Sequence, residues 1–437
     1  MKRINNSVLV LSLFAGMMYT HAQEKKLLSL DEAVQLGIQN SKSLKIDAAK
    51  IEEATADLLA AKNRQLPDLS VSASYLYLPV RPTIDLKIPG VSTAGSPEVH
   101  QVAYGSANVT VPIYSGGRIK YGIQSAKYLV EASKLSTEND KVAIAYNVAQ
   151  AYNNLFKANQ SIKVLEENLS ASQKRDETFL KLENNGVIAR NDRLKANLQT
   201  SNIELQLLEA QNNYNIANIN MDLLLGLPDN TEIEVDQQYI NEADDVKTVD
   251  FYLNEARENR KDLQALDQQR KAAELGTKSA KAENLPSIAF TGGYVAADIP
   301  KFLTIYNAVN VGVGISYNLS NLWKENSALK QSKAREMQLS ATNEMMNDNI
   351  KLEVNREYQN SDYSKKRIAV FEKAAVQANE NYRITKNKYD NGLATMTELL
   401  DADAAQIAAN VGVINAKADA ALAYRKLLQT TGTLTIK

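Results

Sequence analysis

Two pairs of short segments in the chain alternate between apolar and small polar residues. The clearest run is 309–319, where apolar side chains take the odd positions and Asn, Gly or Ser take the even positions. Such alternation places one kind of side chain on each face of a β-strand. The pattern predicts four strands, at about 69–78, 103–114, 287–296 and 308–319.

Most of the remaining sequence has the spacing of α-helices, with apolar residues recurring every three or four positions. Proline is absent from about 118–184 and from about 322–390, and a single helix of that length rises about 100 Å. The acidic segment 229–250 is predicted to be a solvated linker. Shorter helices are predicted at 31–65, 192–225, 252–284 and 397–430.

The two halves of the sequence repeat one another. Leu66-Pro67, before the first strand, recurs as Leu285-Pro286. Asn185-Gly186, after the first long helix, recurs as Asn391-Gly392. Each half therefore has the order helix, strand, strand, long helix, turn and return helix.

This repeat predicts two tandem units, at 23–228 and 251–437, with tip turns at about 185–191 and 391–396. Each strand has about the length, the apolar face and the terminal tyrosines that are typical of a transmembrane β-barrel. Four strands cannot close such a barrel, because known spanning barrels begin at about eight. A dimer with eight strands or a trimer with twelve would close it. Two ordinary surface hairpins are the alternative interpretation.

Charge and composition exclude several functional classes. The sequence has 50 Lys plus Arg against 51 Asp plus Glu, so it lacks the basic excess of a nucleic-acid-binding protein. It contains no cysteine and only two histidines, His21 and His100, which removes thiolate chemistry and nearly every His-based catalytic or metal site. We therefore predict no enzymatic activity, no catalytic or metal site, no cofactor and no nucleic acid partner.

The first 22 residues have the features of a cleaved signal peptide. Lys2 and Arg3 precede an apolar run at 8–18, and Ala22 supplies a small residue at the cleavage site. Beyond residue 23 no stretch is long and apolar enough for a transmembrane helix, so entry into a membrane would require a β-barrel.

Several motifs in register resemble the TolC-like outer membrane efflux proteins. They are Leu-Ser-Leu-Asp-Glu-Ala at 28–33, Gln-Leu-Pro at 65–67 and Val-Pro-Ile-Tyr-Ser-Gly-Gly-Arg at 111–118, together with the two turns. The resemblance covers essentially the whole chain after the signal peptide. It implies a fold that is mainly α with a membrane β-barrel portion. In that fold a homotrimer forms a 12-strand β-barrel in outer membrane lipid, continuous with a 12-helix barrel in the periplasm.

The resemblance also implies a function. Proteins of this kind are passive exit ducts of tripartite efflux or type I secretion systems, in which an inner-membrane transporter drives export through a periplasmic adaptor protein. Drugs, metal ions and proteins all remain open as the cargo. The alternative is a periplasmic coiled-coil adaptor or scaffold with no membrane barrel.

The two turns receive roles from this resemblance. Gly186 and Val187 in the first turn, with Gly392 and Leu393 in the second, match the periplasmic tip that meets the adaptor. A glycine just past the helix end accepts the positive φ that a reversal requires. Thr397 is predicted to help start the second return helix.

Glu398 and Asp401 lie three residues apart and therefore share one helix face. In a symmetric trimer each would form a ring of three carboxylates, which would attract cations in a narrow pore. The two positions match the acidic rings that line the tip aperture of TolC-like proteins. Solvated surface charges are the alternative interpretation.

A second group of residues matches the polar network that holds the aperture closed in this family. Asp192 and Tyr389 match its aspartate and its tyrosine. The sequence departs from the best-known pattern at Ala394, where an arginine is expected. Arg190 and Arg193 are the candidates to replace that arginine.

Overall fold

The computed structural model describes residues 25–80, 82, 99–228, 231–240, 247–300 and 302–435. The predicted signal peptide and most of the loop between the first two predicted strands lie outside these residues. The helices are α1 (Leu30–Asn40), α2 (Lys42–Asn63), α3 (Arg118–Asn184), α4 (Arg190–Leu225), α5 (Val249–Asn259), α6 (Lys261–Ala282), α7 (Ser327–Asp390) and α8 (Met396–Thr431). The strands are β1 (Lys25–Leu28), β2 (Asp68–Tyr77), β3 (Gln101–Tyr114), β4 (Glu232–Val235), β5 (Ser287–Ile299) and β6 (Leu303–Ser316).

The chain folds into two compact units. The sheet unit comprises the described residues of 46–137 and 261–347, and it holds the four long strands with their adjoining helical segments. The helical unit comprises the described residues up to 45, those of 138–260 and those from 348 onward. Among the described residues, no helix is both long and apolar enough to cross a bilayer.

A four-stranded antiparallel sheet, in the order β2, β3, β5, β6, forms the centre of the sheet unit. Ser72 and Ser106 lie opposite each other on one face, with their Oγ atoms 2.9 Å apart. Apolar residues alternate with such small polar residues, and on the edge strands they are largely exposed, as for Val71 at 77 % and Val311 at 75 %. Within the described residues, β2 and β6 each have a hydrogen-bonded neighbour on one side only.

The hairpin of β5 and β6 is shifted from its predicted position. β5 continues to Ile299 and β6 begins at Leu303, so pairing extends closer to the turn than the sequence pattern indicates. A register shift between Val295 and Ala297 accommodates this extension. The alternation is interrupted at Asn307, which adopts a positive φ of 59°. The apolar pattern alone therefore located the strands but not their loop-side ends.

The second long helix starts later than predicted. The sequence pattern placed its start at about 322, but a short 3₁₀ turn occupies Leu319–Leu322 and α7 begins at Ser327. Asn326 explains the later start, because its Oδ1 accepts a hydrogen bond from the N–H of Leu329 at 2.8 Å. A side-chain acceptor of this kind caps the first turn of a helix.

Two stretches predicted as single helices are each broken, between α1 and α2 and between α5 and α6. Ser41 caps α2, since its Oγ accepts a hydrogen bond from the N–H of Leu44 at 3.2 Å. Arg260 lies at the second break. Its guanidinium donates to the Glu353 carboxylate at 2.8 Å and to the Thr430 carbonyl at 3.2 Å. Neither break carries a proline or glycine, the residues that most strongly interrupt a helical pattern.

Part of the acidic segment expected to be a solvated linker is a half-buried strand. β4 pairs in parallel with β1, and Ile233 is fully buried. Tyr152 of α3 connects to both strand regions: its hydroxyl accepts from the Asp236 N–H at 2.7 Å and donates to the Leu28 carbonyl at 2.9 Å. Burial raises the pKa of Tyr152 to about 12. Ile233, Val235 and Tyr239 of this segment thus belong to the core of the helical unit.

Candidate functional site

The two long helices reverse direction by the same backbone geometry. Gly186 follows α3 with a φ of 70°, and Gly392 follows α7 with a φ of 72°. The next N–H groups, those of Val187 and Leu393, donate back to carbonyls of the last helical turn at 2.9 and 2.8 Å. The side chains of Val187 and Leu393 are 67 % and 77 % exposed. Each helical hairpin, the first formed by α3 and α4 and the second by α7 and α8, therefore presents an apolar residue at its turn.

A capping box starts the return helix α8. The Glu398 carboxylate accepts hydrogen bonds from the N–H and the hydroxyl of Thr395 at 2.6 and 2.9 Å, and the Thr395 hydroxyl accepts from the Glu398 N–H at 3.3 Å. The N-cap is thus Thr395. The prediction that Thr397 starts this helix was wrong by two residues.

The same hydrogen bonds stabilise the ionised form of the Glu398 carboxyl group. Donation from the Thr395 backbone and hydroxyl lowers the pKa of Glu398 below its ordinary value. A carboxylate with a lowered pKa stabilises the folded state above its unfolded pKa, and this contribution is lost as the pH falls through the lowered value. At neutral pH we therefore expect Glu398 to be ionised and held in place.

The two candidate aperture carboxylates lie on one exposed side of α8. Glu398 and Asp401 are exposed, whereas Leu399 and Asp403, which face the protein interior, are buried. Both carboxylates are within two turns of the start of the helix. Both carboxylates therefore reach the surface of the single chain, although that of Glu398 is hydrogen-bonded to Thr395.

Asp192 and Tyr389 are brought near each other from the two hairpins. The Tyr389 ring meets Phe179 edge to face, with ring centroids 5.8 Å apart. Burial raises the pKa of Tyr389, and the negative charge of Asp192 adds to the effect. The Asp192 carboxylate lies 3.6 Å from the ammonium of Lys195. Among the described residues, no hydrogen bond joins the Tyr389 hydroxyl to Asp192.

Arg193 forms ion pairs within its own hairpin. Its guanidinium lies 3.3 Å from the Glu183 carboxylate and 3.6 Å from the Asp176 carboxylate, both on α3. Arg190 is exposed at the start of α4. In the described part of the chain, neither arginine pairs with the second hairpin.

A buried ion pair that sequence reasoning missed joins the two hairpins. Arg175 of α3 donates to Asp403 of α8 at 3.0 Å, and the two side chains are only 14 % and 4 % exposed. A signal was present in the sequence, because Asp403 takes a position between Leu399 and Ile407 where the helical spacing predicts an apolar residue. Charged residues are almost never fully buried unless paired, so this position indicated a distant cation.

Arg175 also lines a cavity of about 400 Å³ between the hairpins. Aromatic and aliphatic side chains form much of its wall, including those of Phe179, Tyr382, Tyr389 and Leu399. In the described residues, no group of three or more His, Asp or Glu side chains is placed to hold a metal ion. Near their turns the hairpins are joined by the buried ion pair, by the aromatic contact and by a cluster of buried apolar residues that includes Ala196 and Met396.

The profile of outer membrane efflux proteins matches residues 33–227 and 252–433 of this sequence. The chain belongs to the outer membrane efflux protein family. The resemblance found in the sequence is thereby confirmed, and the protein serves as an exit duct for efflux across the outer membrane. An adaptor or scaffold without a membrane portion is not favoured. No curated protein sequence matches the chain at a significant level.

Solved structures of outer membrane proteins share the fold over nearly the whole chain. VceC from Vibrio cholerae is 19 % identical, with 92 % of this chain and 96 % of that chain covered and a TM-score of 0.78. CusC is 18 % identical, with 92 % of each chain covered and a TM-score of 0.78. The CmeC outer membrane channel of Campylobacter jejuni is 18 % identical, with 93 % and 86 % covered and a TM-score of 0.75. At this level of identity the similarity establishes the fold.

Proposed function

We propose that three copies of the chain form one channel, with twelve strands closing a β-barrel in the outer membrane and the helices continuing as a duct into the periplasm. The channel is the exit duct of a tripartite efflux or type I secretion system, and an inner-membrane transporter drives export through a periplasmic adaptor. The main support for this proposal comes from the structure of the sheet unit. Its edge strands expose alternating apolar residues, and each edge has no neighbour within the described chain.

The strand directions support closure between copies. β2, β3, β5 and β6 alternate in direction, so β6 of one copy would meet β2 of the next as an antiparallel neighbour. Such pairing satisfies the backbone groups that an open edge would leave unpaired in lipid. Three copies give the twelve strands that the family resemblance implies.

The tandem organisation supports the placement of the two turns. The family profile matches two stretches separated by a short gap, in agreement with repeats at 23–228 and 251–437. In the proposed trimer both turns lie at the periplasmic tip, where Val187 and Leu393 contact the adaptor. Their exposed apolar side chains are suited to such a contact.

The aperture of the duct would lie next to the start of α8. There Glu398 and Asp401 would form two rings of carboxylates lining the pore, and Asp192 and Tyr389, which lie near each other on the two hairpins, would belong to the network that closes the aperture. The Arg175–Asp403 pair takes over much of this role, because no arginine is present at position 394.

Removing both carboxylates should weaken cation block of the channel. For the variant Glu398→Gln with Asp401→Asn, we expect block by multivalent cations added on the periplasmic side to fall on the order of tenfold. A unit charge about 4 Å from a cation contributes about 1 kcal/mol even in bulk water. The measurement is the current through purified trimers in planar bilayers.

The substitution is chosen so that folding is retained, since glutamine also completes a capping box. The double variant Glu204→Gln with Glu209→Gln, at exposed positions of α4, removes the same number of charges and should leave the block unchanged. Equal block in all three proteins would place Glu398 and Asp401 on a solvated outer surface.

A further inference from the structure

The cavity between the two helical hairpins has an excess of positive charge in its wall. Three of its lining residues are cations, Lys174 and Arg175 on α3 and Lys386 on α7. Among the described residues that line it, Asp390 alone has a carboxylate, and this carboxylate is paired with the ammonium of Lys386 at 2.8 Å. In the described part of the chain, the ammonium of Lys174 forms no ion pair. An anion in the cavity would therefore meet an uncompensated charge.

Several hydrogen bond donors of the same wall have no acceptor. Arg175 donates from Nη2 to Asp403 at 3.0 Å, whereas its buried Nη1 has no partner within the described chain. The hydroxyls of Tyr382 and Tyr389 likewise donate to no residue that the structure describes. Burial raises the pKa of both tyrosines, so both hydroxyls keep their protons at neutral pH. Since a buried donor without an acceptor is unfavourable, the cavity is suited to a ligand that supplies acceptors.

The rest of the wall is aromatic and aliphatic. Phe179 and Leu399 are buried, and the rings of Tyr382 and Tyr389 pack against them. Sites for small molecules typically have volumes of about 300 to 1,000 Å³ and are lined by apolar side chains with a few well-placed polar groups. The cavity, at about 400 Å³, is within this range. A ligand that fits both parts of the wall has an apolar body as well as a negative charge.

We propose that this cavity binds a small amphipathic organic anion, of which an aromatic carboxylate is the simplest example. The charged end lies at Lys174 and Arg175, and the apolar body packs against Phe179 and Tyr382. Because α3 belongs to the first hairpin and α7 to the second, the bound anion bridges the two hairpins. A ligand that binds one arrangement of a protein stabilises that arrangement. The anion therefore favours hairpins that are packed together, and in the channel this favours a closed aperture. This last step alone rests on the proposed function.

A pair of probes that differ in charge tests the site directly. The full-length protein is inserted into lipid nanodiscs, and binding of naphthoate and of its neutral amide, naphthamide, is measured by equilibrium dialysis. Binding to empty nanodiscs is subtracted. We expect one naphthoate per chain, with an affinity several-fold higher than that of naphthamide. Equal affinity for the two probes, or no binding of naphthoate at millimolar concentration, would overturn the proposal.

Two matched variants locate the binding on the chain. Lys174 is exposed, so Lys174→Met should retain the fold, weaken naphthoate binding several-fold and leave naphthamide binding unchanged. Lys163→Met removes the same charge from an exposed position of α3 outside the cavity, about 16 Å away along the helix axis. This control should bind both probes as the unmodified protein does. Undiminished naphthoate binding in Lys174→Met would place the anion elsewhere.

The effect on the aperture is measured separately, as the current through channels in planar bilayers. Naphthoate added on the periplasmic side should lower the current of the unmodified protein several-fold more than that of Lys174→Met. Binding of naphthoate with an equal effect on both currents would overturn the link between the cavity and the aperture. Binding by a protein that forms no channels would contradict the proposed function and leave the anion site supported.

Discussion

Replacing Val311 with arginine should abolish assembly of the protein in the outer membrane. Val311 is 75 % exposed on β6 and belongs to the apolar series that includes Val309, Val313 and Ile315. An arginine on the lipid face at the bilayer midplane costs roughly 2 to 4 kcal/mol, and a trimer carries three copies of it. The measurement is the amount of folded oligomer in the outer membrane fraction, detected as a heat-sensitive band on a gel of unboiled samples.

Gly314→Arg is the matched control on the opposite face of the same strand. A Cβ at Gly314 meets no heavy atom within 4 Å, so the new side chain has space. Because that face would line a wet lumen, we expect assembly to be retained. Equal loss, or equal tolerance, in Val311→Arg and Gly314→Arg would mean that the strand does not separate lipid from water.

The second large effect is expected at the buried ion pair. Arg175→Met leaves Asp403 buried without its partner, and breaking one side of a buried pair costs about 3 to 5 kcal/mol. We expect a clear fall in the thermal unfolding temperature of the purified protein in detergent. Lys174→Met, on the exposed neighbouring position, removes the same charge and should change that temperature little.

A double variant distinguishes the loss of the pair from general disruption of packing. Replacing both members by apolar residues, as in Arg175→Met with Asp403→Leu, removes the unpaired charge, and such replacements are often neutral or stabilising. The double variant should therefore be more stable than Arg175→Met alone. Equal instability of the two would show that Asp403 does not depend on Arg175.

The sequence was most informative where one periodicity runs without interruption. The alternation at 309–315 indicated the strand, and the lack of proline across α3 and α7 indicated long helices. The mainly helical fold and the family are confirmed. The capping box at Thr395 and Glu398 has a sequence signature, a threonine with a glutamate three residues later, but the prediction favoured Thr397 instead.

Other features depended on contacts between distant residues. The break at Ser41 has no proline or glycine to mark it. β4 is only four residues long and contains two glutamates, so its sequence does not have the apolar alternation that would predict its pairing with β1. The partner of Asp403 lies more than two hundred residues away at Arg175. The local spacing of apolar residues predicts which side chains face the interior, but it does not predict which distant residues they contact.

The mass of the purified complex tests the central claim most directly. The protein is extracted from the outer membrane fraction in detergent, and its mass is measured by native mass spectrometry after the detergent is removed in the gas phase. In the described residues, the four-stranded sheet leaves both of its edges unpaired, and the family resemblance implies twelve strands, so we predict three chains in each particle. A folded, monodisperse monomer that remains in solution without detergent would contradict the account.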